Sequence, residues 1–387
     1  MAAKPWLSSS EPELPDTVPA LRNAMPALDD RRYFNWGASG PSPRPVVSAA
    51  NAAIEYHEFQ APRDVGMYPA ADEIFEGARE SIADLVGVSP STIALTSSTT
   101  EGINRVATAI EWEPGDVVVT TDLEHAAGRL PWTRLQEAAG IDVRVLETDR
   151  GQIDLASLER TVQGADLLCV SAVDWLYGRR HPVSEMVEIA HEQDALALVD
   201  AVQAPGQRPI DLRQWGADFV AGAGHKWLLG PWGAGYLYVS PAVVADLEPI
   251  HVGYRSVSSA SGGEYELHEG ARRFELGTMS PGPFAGLQTA IETMQRVGIE
   301  TVRERIRTLR SRFVEGIPSE RLRSPPDSPT GLVTLEVSDP DSAVEELNAD
   351  GIAVRSLPLP DSIRVSIHAP NTEAEIDALL AALDSSW

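Results

Sequence analysis

Lysine is almost missing from this 387-residue chain: Lys4 and Lys226 are the only two, and every other basic residue is arginine. Cysteine is rarer still. A single Cys169 excludes an internal disulfide and suits a reducing compartment, so a cytoplasmic location is expected. Positive charge is scarce as well, with 57 acidic against 31 basic residues and a formal net charge of −26. That balance excludes the basic footprint of a nucleic-acid binder and argues against anionic membrane surfaces. No uninterrupted apolar run approaches the roughly 20 residues of a membrane-spanning helix, and no charged-then-apolar signal segment opens the chain. No cluster of His, Cys and carboxylates has zinc spacing. The glycine-rich stretch around GAGHKW lacks the Gly-Lys-Ser/Thr ending of a nucleotide P-loop, and GPWGAGY lacks the spacing of a dinucleotide fingerprint.

Against this background the one interior lysine stands out. Arginine serves as well as lysine for surface charge but keeps its proton, whereas a desolvated lysine becomes a neutral amine nucleophile. Lys226 lies in the apolar segment GAGHKWLLGPWG, which points to nitrogen chemistry, Schiff-base formation above all. A leftover surface charge or a buried ion-pair partner is the plainer alternative.

The chain is long enough for two domains. Residues 1–30 are rich in Pro, Ser and acidic residues and read as a loosely held arm. Residues 31–45 carry a short aromatic strand and the small-residue turn Gly37-Ala38-Ser39-Gly40, either an ordinary turn or backbone that lets a small ligand approach closely. Helices are expected over 45–59 and 70–86, then a strand at 93–96 running into Ser97-Ser98-Thr99-Thr100 and a helix over 103–110. Hydroxyls and free helix N–H groups at such a turn form an anion site, or merely cap the helix. Strands at 117–121, 142–146, 167–170, 196–199, 219–221 and 236–239 alternate with helices, which predicts a mostly parallel, helix-covered sheet across a large domain of residues 46–289. Thr99, His125, Asp200 and Lys226 all follow predicted strands, where such sheets bind ligands. Residues 290–387, with long helices and alternating strands at 332–337 and 363–367, read as a smaller α+β domain completed by residues 31–45.

The block VDAVQ, followed 26 positions from Asp200 by GHKW, resembles the class V aminotransferases of fold type I. These are pyridoxal-5′-phosphate (PLP) enzymes that include cysteine desulfurases, selenocysteine lyases and isopenicillin N epimerase-like proteins, and the resemblance covers nearly everything after Tyr33. It implies that Lys226 carries the cofactor and moves the substrate Cα proton, that Asp200 pairs with the pyridine nitrogen, and that Gln203 bonds the ring hydroxyl. It also implies that His125 stacks on the ring, that Thr99, Thr100 and His225 hold the phosphate, and that Thr278 reaches the partner's phosphate in a homodimer. Arg364 would clamp the substrate carboxylate, with Ser39 and Trp175 beside the substrate.

Three departures qualify this resemblance. The stretch GIAVRSLPLPDSIRVS has no cysteine where family desulfurases carry their nucleophile, and Cys169 in LLCVSAV reads as a core residue. Trp175 stands where relatives offer Asn, and Ala223 where many have Ser. The expected activity is therefore amino-acid chemistry at Cα, with transamination put first and cysteine or selenocysteine β-elimination as the alternative. A non-catalytic PLP-fold binding protein is the reading from another class.

Acidity with so little lysine also suggests adaptation to high salt, where surface carboxylates hold water and their repulsion is screened. Thermal unfolding is expected to shift to higher temperature between dilute buffer and molar KCl. An unfolding temperature indifferent to salt would remove the idea.

Overall fold

In the computed structural model, which describes Trp6 and residues 12–384, seven strands form the central sheet. They are β1 (Ile93–Thr96), β2 (Val117–Thr121), β3 (Asp142–Leu146), β4 (Leu167–Ser171), β5 (Leu196–Asp200), β6 (Phe219–Ala223) and β7 (Gly235–Val239). Their spatial order is β1-β7-β6-β5-β4-β2-β3, and only β7 runs antiparallel to its neighbours. Runs such as VVVTT and LLCVS are buried at every position, as expected of strands covered by helices on both faces.

One face is covered by the helices Arg44–Glu55, Met67–Val86 and Pro281–Val297, which pack on one another. A buried ion pair ties this layer to the edge strand. Arg79 Nη1 lies 2.6 Å from Glu275 Oε1, and the same carboxylate oxygen accepts the backbone N–H of Leu95. Removing one partner of such a pair leaves a buried charge and costs about 3–5 kcal/mol.

The smaller lobe is built on β8 (Leu332–Glu336), β9 (Arg355–Ser356) and β10 (Ser362–Ser366), an antiparallel sheet in the order β8-β10-β9. The helices Ile299–Glu315, Pro340–Ala349 and Glu373–Asp384 pack against it around Phe313, Val333, Ile363 and Val365. Phe34 joins this core, and the strand Arg32–Tyr33 pairs in parallel with Ile352–Ala353. The boundary expected at 289/290 falls inside the helix Pro281–Val297.

Two expectations need correction. The arm expected to be loose through Asp30 instead buries Pro15, Leu21, Met25 and Leu28, while residues 1–5 and 7–11 lie outside the described residues. Thr17 caps the helix Val18–Asn23, Leu21 and Met25 are fully buried, and Arg22 pairs with Glu375 at 2.8 Å. The helix expected to begin at 103 runs instead from Thr99 to Ala107. Ser98 Oγ accepts from the Glu101 N–H, and the Glu101 carboxylate accepts from the Ser97 N–H. This reciprocal cap starts the helix four residues early and places Thr99 and Thr100 in its first turn.

Candidate active site

Parallel register sets the carboxyl ends of three strands side by side: Ser171 of β4 is opposite Asp200 of β5, and Asp200 is opposite Ala221 of β6. The segment after β6 then carries His225 and Lys226. A cavity of about 160 Å³ opens here, lined by His125, Trp175, Asp200, Gln203, His225, Lys226 and Arg364. Gly37, Ala38 and Arg355 complete the part of its wall that comes from the smaller lobe and its approach.

Lys226 is half-buried in that wall, and its ammonium pKa falls to about 8. Burial is the main cause; Asp200 opposes it, and Arg364 and Arg355 add to it. Asp200 is buried and accepts the Val202 N–H at 2.9 Å. Burial raises its pKa against that bond and against Lys226. Both histidines are held towards the neutral form. His225 drops to about 4 through burial and then Lys226, and His125 is lowered by burial, Lys226 and three arginines. His125 caps the helix Ala126–Ala139 by accepting the Ala127 N–H at Nδ1, which leaves Nε2 as its N–H when neutral. Its ring meets Trp175 edge-on, with centroids 5.1 Å apart.

Arg364 is wholly buried on β10. Nη1 donates to the Trp175 carbonyl at 2.9 Å, while Nε and Nη2 have no partner among the described residues. A buried guanidinium with two free N–H donors presents a ready fork for a carboxylate. Its pKa is pushed down to about 9 by burial and then by Arg355, so it remains a cation at neutral pH.

The remaining expected residues are more scattered. Gln203 lines the cavity, but its amide is engaged: Nε2 donates to Gly37 O at 2.9 Å, and Oε1 accepts from Trp227 Nε1 at 2.8 Å. Ser39 lies beside the cavity, with Oγ accepting from Trp232 Nε1. Thr99 and Thr100 sit beyond the lining residues. Thr99 Oγ1 is buried without a partner, and Thr100 is exposed. Thr278 is not brought to this cavity within the chain; it is exposed, with Oγ1 3.0 Å from the Tyr254 hydroxyl in a second hollow.

Sequence reasoning missed three contributors. Arg355 faces the cavity from β9. Glu124 is buried beneath it, accepting from Thr121, from the Ser171 hydroxyl at 2.6 Å and from the Ser171 N–H. Burial, with Asp200 nearby, raises Glu124 to about 7 despite these bonds. Asp174 accepts the N–H groups of Leu176, Tyr177 and Arg179 and so shapes the turn that presents Trp175. The legible signal for Arg355 was its place in AVRS, nine residues before Arg364 across a tight strand connection.

An amine of lowered pKa, a buried strand-end carboxylate, a guanidinium with unspent donors and an unpartnered Thr99 hydroxyl at a helix start fit the needs of a phosphorylated pyridine aldehyde and an amino-acid carboxylate. The fold and this set define a PLP-dependent enzyme of fold type I. The model of the family Aminotransferase class-V matches residues 32–379, and the chain belongs to that family. A probable cysteine desulfurase of Methanothermobacter thermautotrophicus is 33% identical, over 94% of this chain and 96% of that protein. A lysine-to-alanine mutant of C-DES, with glycine covalently linked to its PLP cofactor, superposes with a TM-score of 0.89 at 27% identity, over 95% of this chain and 99% of that one. The cystine C–S lyase C-DES in complex with its product cysteine persulfide gives a TM-score of 0.88 at 28% identity, over 93% and 98%.

Because the Lys226 pKa is lowered rather than raised, its reactive neutral fraction grows as pH rises through about 8. The rate at which the apo-protein acquires borohydride-reducible PLP is expected to climb through that range and to vanish in Lys226→Ala. An inflection near 10.4, the value of an unperturbed lysine, would contradict this account of the site.

Proposed function

We propose that this enzyme is a C–S lyase acting on cysteine-type amino acids, with transamination, the activity first expected, set aside. The observation that carries the reading is Arg364, whose two unpaired N–H donors share a cavity with the Lys226 amine and with no thiol. Cys169 lies fully buried in β4, its Sγ 3.7 Å from the Gly128 carbonyl and its pKa raised well up by burial and Glu124. The connection between β9 and β10 holds no cysteine. Sulfur is therefore released with the leaving group rather than stored on the protein. The similarity to a cystine C–S lyase supports the same reading.

In this account Arg364 grips the substrate carboxylate, and Lys226 takes the Cα proton. Asp200 would hold the positive charge of the pyridine nitrogen, and neutral His125 would pack against the ring. Thr99, Thr100 and His225 would hold the phosphate, with Gln203 at the ring edge. PLP supplies the electron sink that lets Cα–H and Cβ–S bonds break. With one water the products are pyruvate, ammonium and the departing thiol or persulfide. A cytoplasmic location belongs to this reading and rests on the single buried free thiol. Among the described residues no helix is long and apolar enough to cross a membrane.

A homodimer is part of the proposal. Thr278 lies in a hollow with Tyr68, Met67 and Tyr254, and Tyr68 and Tyr254 are 62% and 52% exposed, an apolar surface suited to a second copy. Light scattering should give twice the 41.7 kDa chain mass at micromolar concentration; a monomer would remove Thr278 from the site. Incubation with L-cystine or L-cysteine is expected to release pyruvate and ammonium without any α-keto acid, and Lys226→Ala to lower this by about 10²- to 10⁴-fold. Turnover that requires a keto acid would restore transamination, and no turnover across a broad amino-acid panel would favour a binding protein.

A further inference from the structure

A larger cavity, about 530 Å³ against about 160 Å³ for that of Lys226, lies among the segments that follow β4 and β5. Its volume falls in the range of small-molecule sites, roughly 300–1,000 Å³. Arg180, His181, Arg208 and Trp215 line it, and it shares Val173 with the Lys226 cavity, whereas Lys226 and Asp200 are not in its wall. Backbone bridges fix both arginines in place, Arg180 opposite Val173 and Arg208 opposite Pro205. In a chain with 57 acidic residues, neither guanidinium has an ion pair or hydrogen bond among the described residues, and Arg208 Nη1 is a buried donor left over. Arg208 is held below the usual arginine range by burial, then by Arg180 and Arg303, with Glu300 opposing. His181 is only 4% exposed, and its Nε2 has no hydrogen bond; Asp174 Oδ2 stands 4.0 Å away. Two carboxylates share the wall. Asp211 is already engaged by Arg213 at 2.9 Å and by Gln214, and Glu185 is exposed in the first turn of the helix Val183–His191.

Two guanidiniums that repel one another, one of them with a buried free donor, are stabilised by an anion that both can reach. The rest of the wall is largely apolar, with Val173, Val183, Ile210 and the half-buried Trp215 indole. We propose that this cavity is a second ligand site, taking a small molecule with one phosphate or carboxylate on a flat apolar body. Arg180 and Arg208 hold the acid, and Trp215 packs on the body. His181, kept neutral with its pKa at about 4 by burial and then by Arg179, is an uncharged hydrogen-bond partner for the same molecule. The site stands apart from the lyase chemistry, because its occupant lies outside the cavity of Lys226 and does not react there.

The test titrates 2-naphthoate, 2-naphthyl phosphate and the neutral 2-naphthamide into the PLP-loaded enzyme by calorimetry. The wild type is expected to bind at least one of the acids, one per chain, about 10- to 100-fold more tightly than the amide, the range for a hydrogen bond to a charged group. Which acid binds more tightly tells phosphate from carboxylate. Arg208→Gln should bring the ratio of acid to amide close to one, and Arg180→Gln should lower it. Trp215→Ala should weaken all three compounds and keep the ratio. Each variant is expected to retain the wild-type cofactor absorbance and unfolding temperature, so that a lost ratio reports the site and not the fold. If Arg208→Gln fails to fold, Arg180→Gln decides, because that side chain is exposed. A wild type that shows no preference for either acid at millimolar concentration overturns the inference. So does a preference that survives both arginine substitutions, because the acid would then be held elsewhere, as by Arg364 in the Lys226 cavity.

Discussion

Lys226, to which the proposed chemistry is assigned, is held in place by a junction at the residue beside it. The Trp227 ring is fully buried, and its Nε1 donates to Gln203 Oε1 while its carbonyl accepts from His368 Nε2 at 2.9 Å. His368 belongs to the smaller lobe and Gln203 to the turn after β5, so one residue ties both lobes to the Lys226 segment. His368 can donate there because it is buried and neutral, with its pKa near 4 and its Nδ1 accepting the Ala369 N–H. Glycine is required around this junction by close approach. A side chain at Gly40 would strike the Lys226 carbonyl, and one at Gly206, where φ is +92°, would strike that of Trp227. The backbone of 225–227 is thereby clamped from three directions.

The electrostatics follow from that placement. A lysine enclosed near two arginines is lowered to about 8, still largely a cation at neutral pH, and Asp200 is the carboxylate in the wall that opposes the shift. Glu124 sits one layer below, and at about 7 it is partly protonated, so it adds less negative charge than its residue type suggests. The three cationic side chains in the wall prepare the cavity for anions, while the surface of the same protein is strongly acidic. The departures from the family pattern fit this picture. Trp175 contributes a flat apolar wall to which both His125 and Arg355 turn, and its carbonyl, rather than its side chain, orients Arg364.

The sheet, its parallel character and the cluster Asp200–Lys226 were legible in the sequence by itself. Buried strands write themselves as unbroken apolar runs, and a single interior lysine in a chain otherwise served by arginine points to amine chemistry whatever the fold. The family followed from VDAVQ and GHKW, and with it the expectation that Arg364 faces the cavity. Tertiary structure alone decided the rest. It anchored residues 12–30 through Leu21 and Met25, although their composition is that of an arm, because burial against a distant helix leaves no local periodicity. It engaged Gln203 with Trp227 and Gly37, and it left Thr278 far from its own chain's cavity. It also set Arg355 opposite Arg364, since the register of a two-residue strand is chosen by the neighbouring strand and the turn between them, not by the two residues themselves.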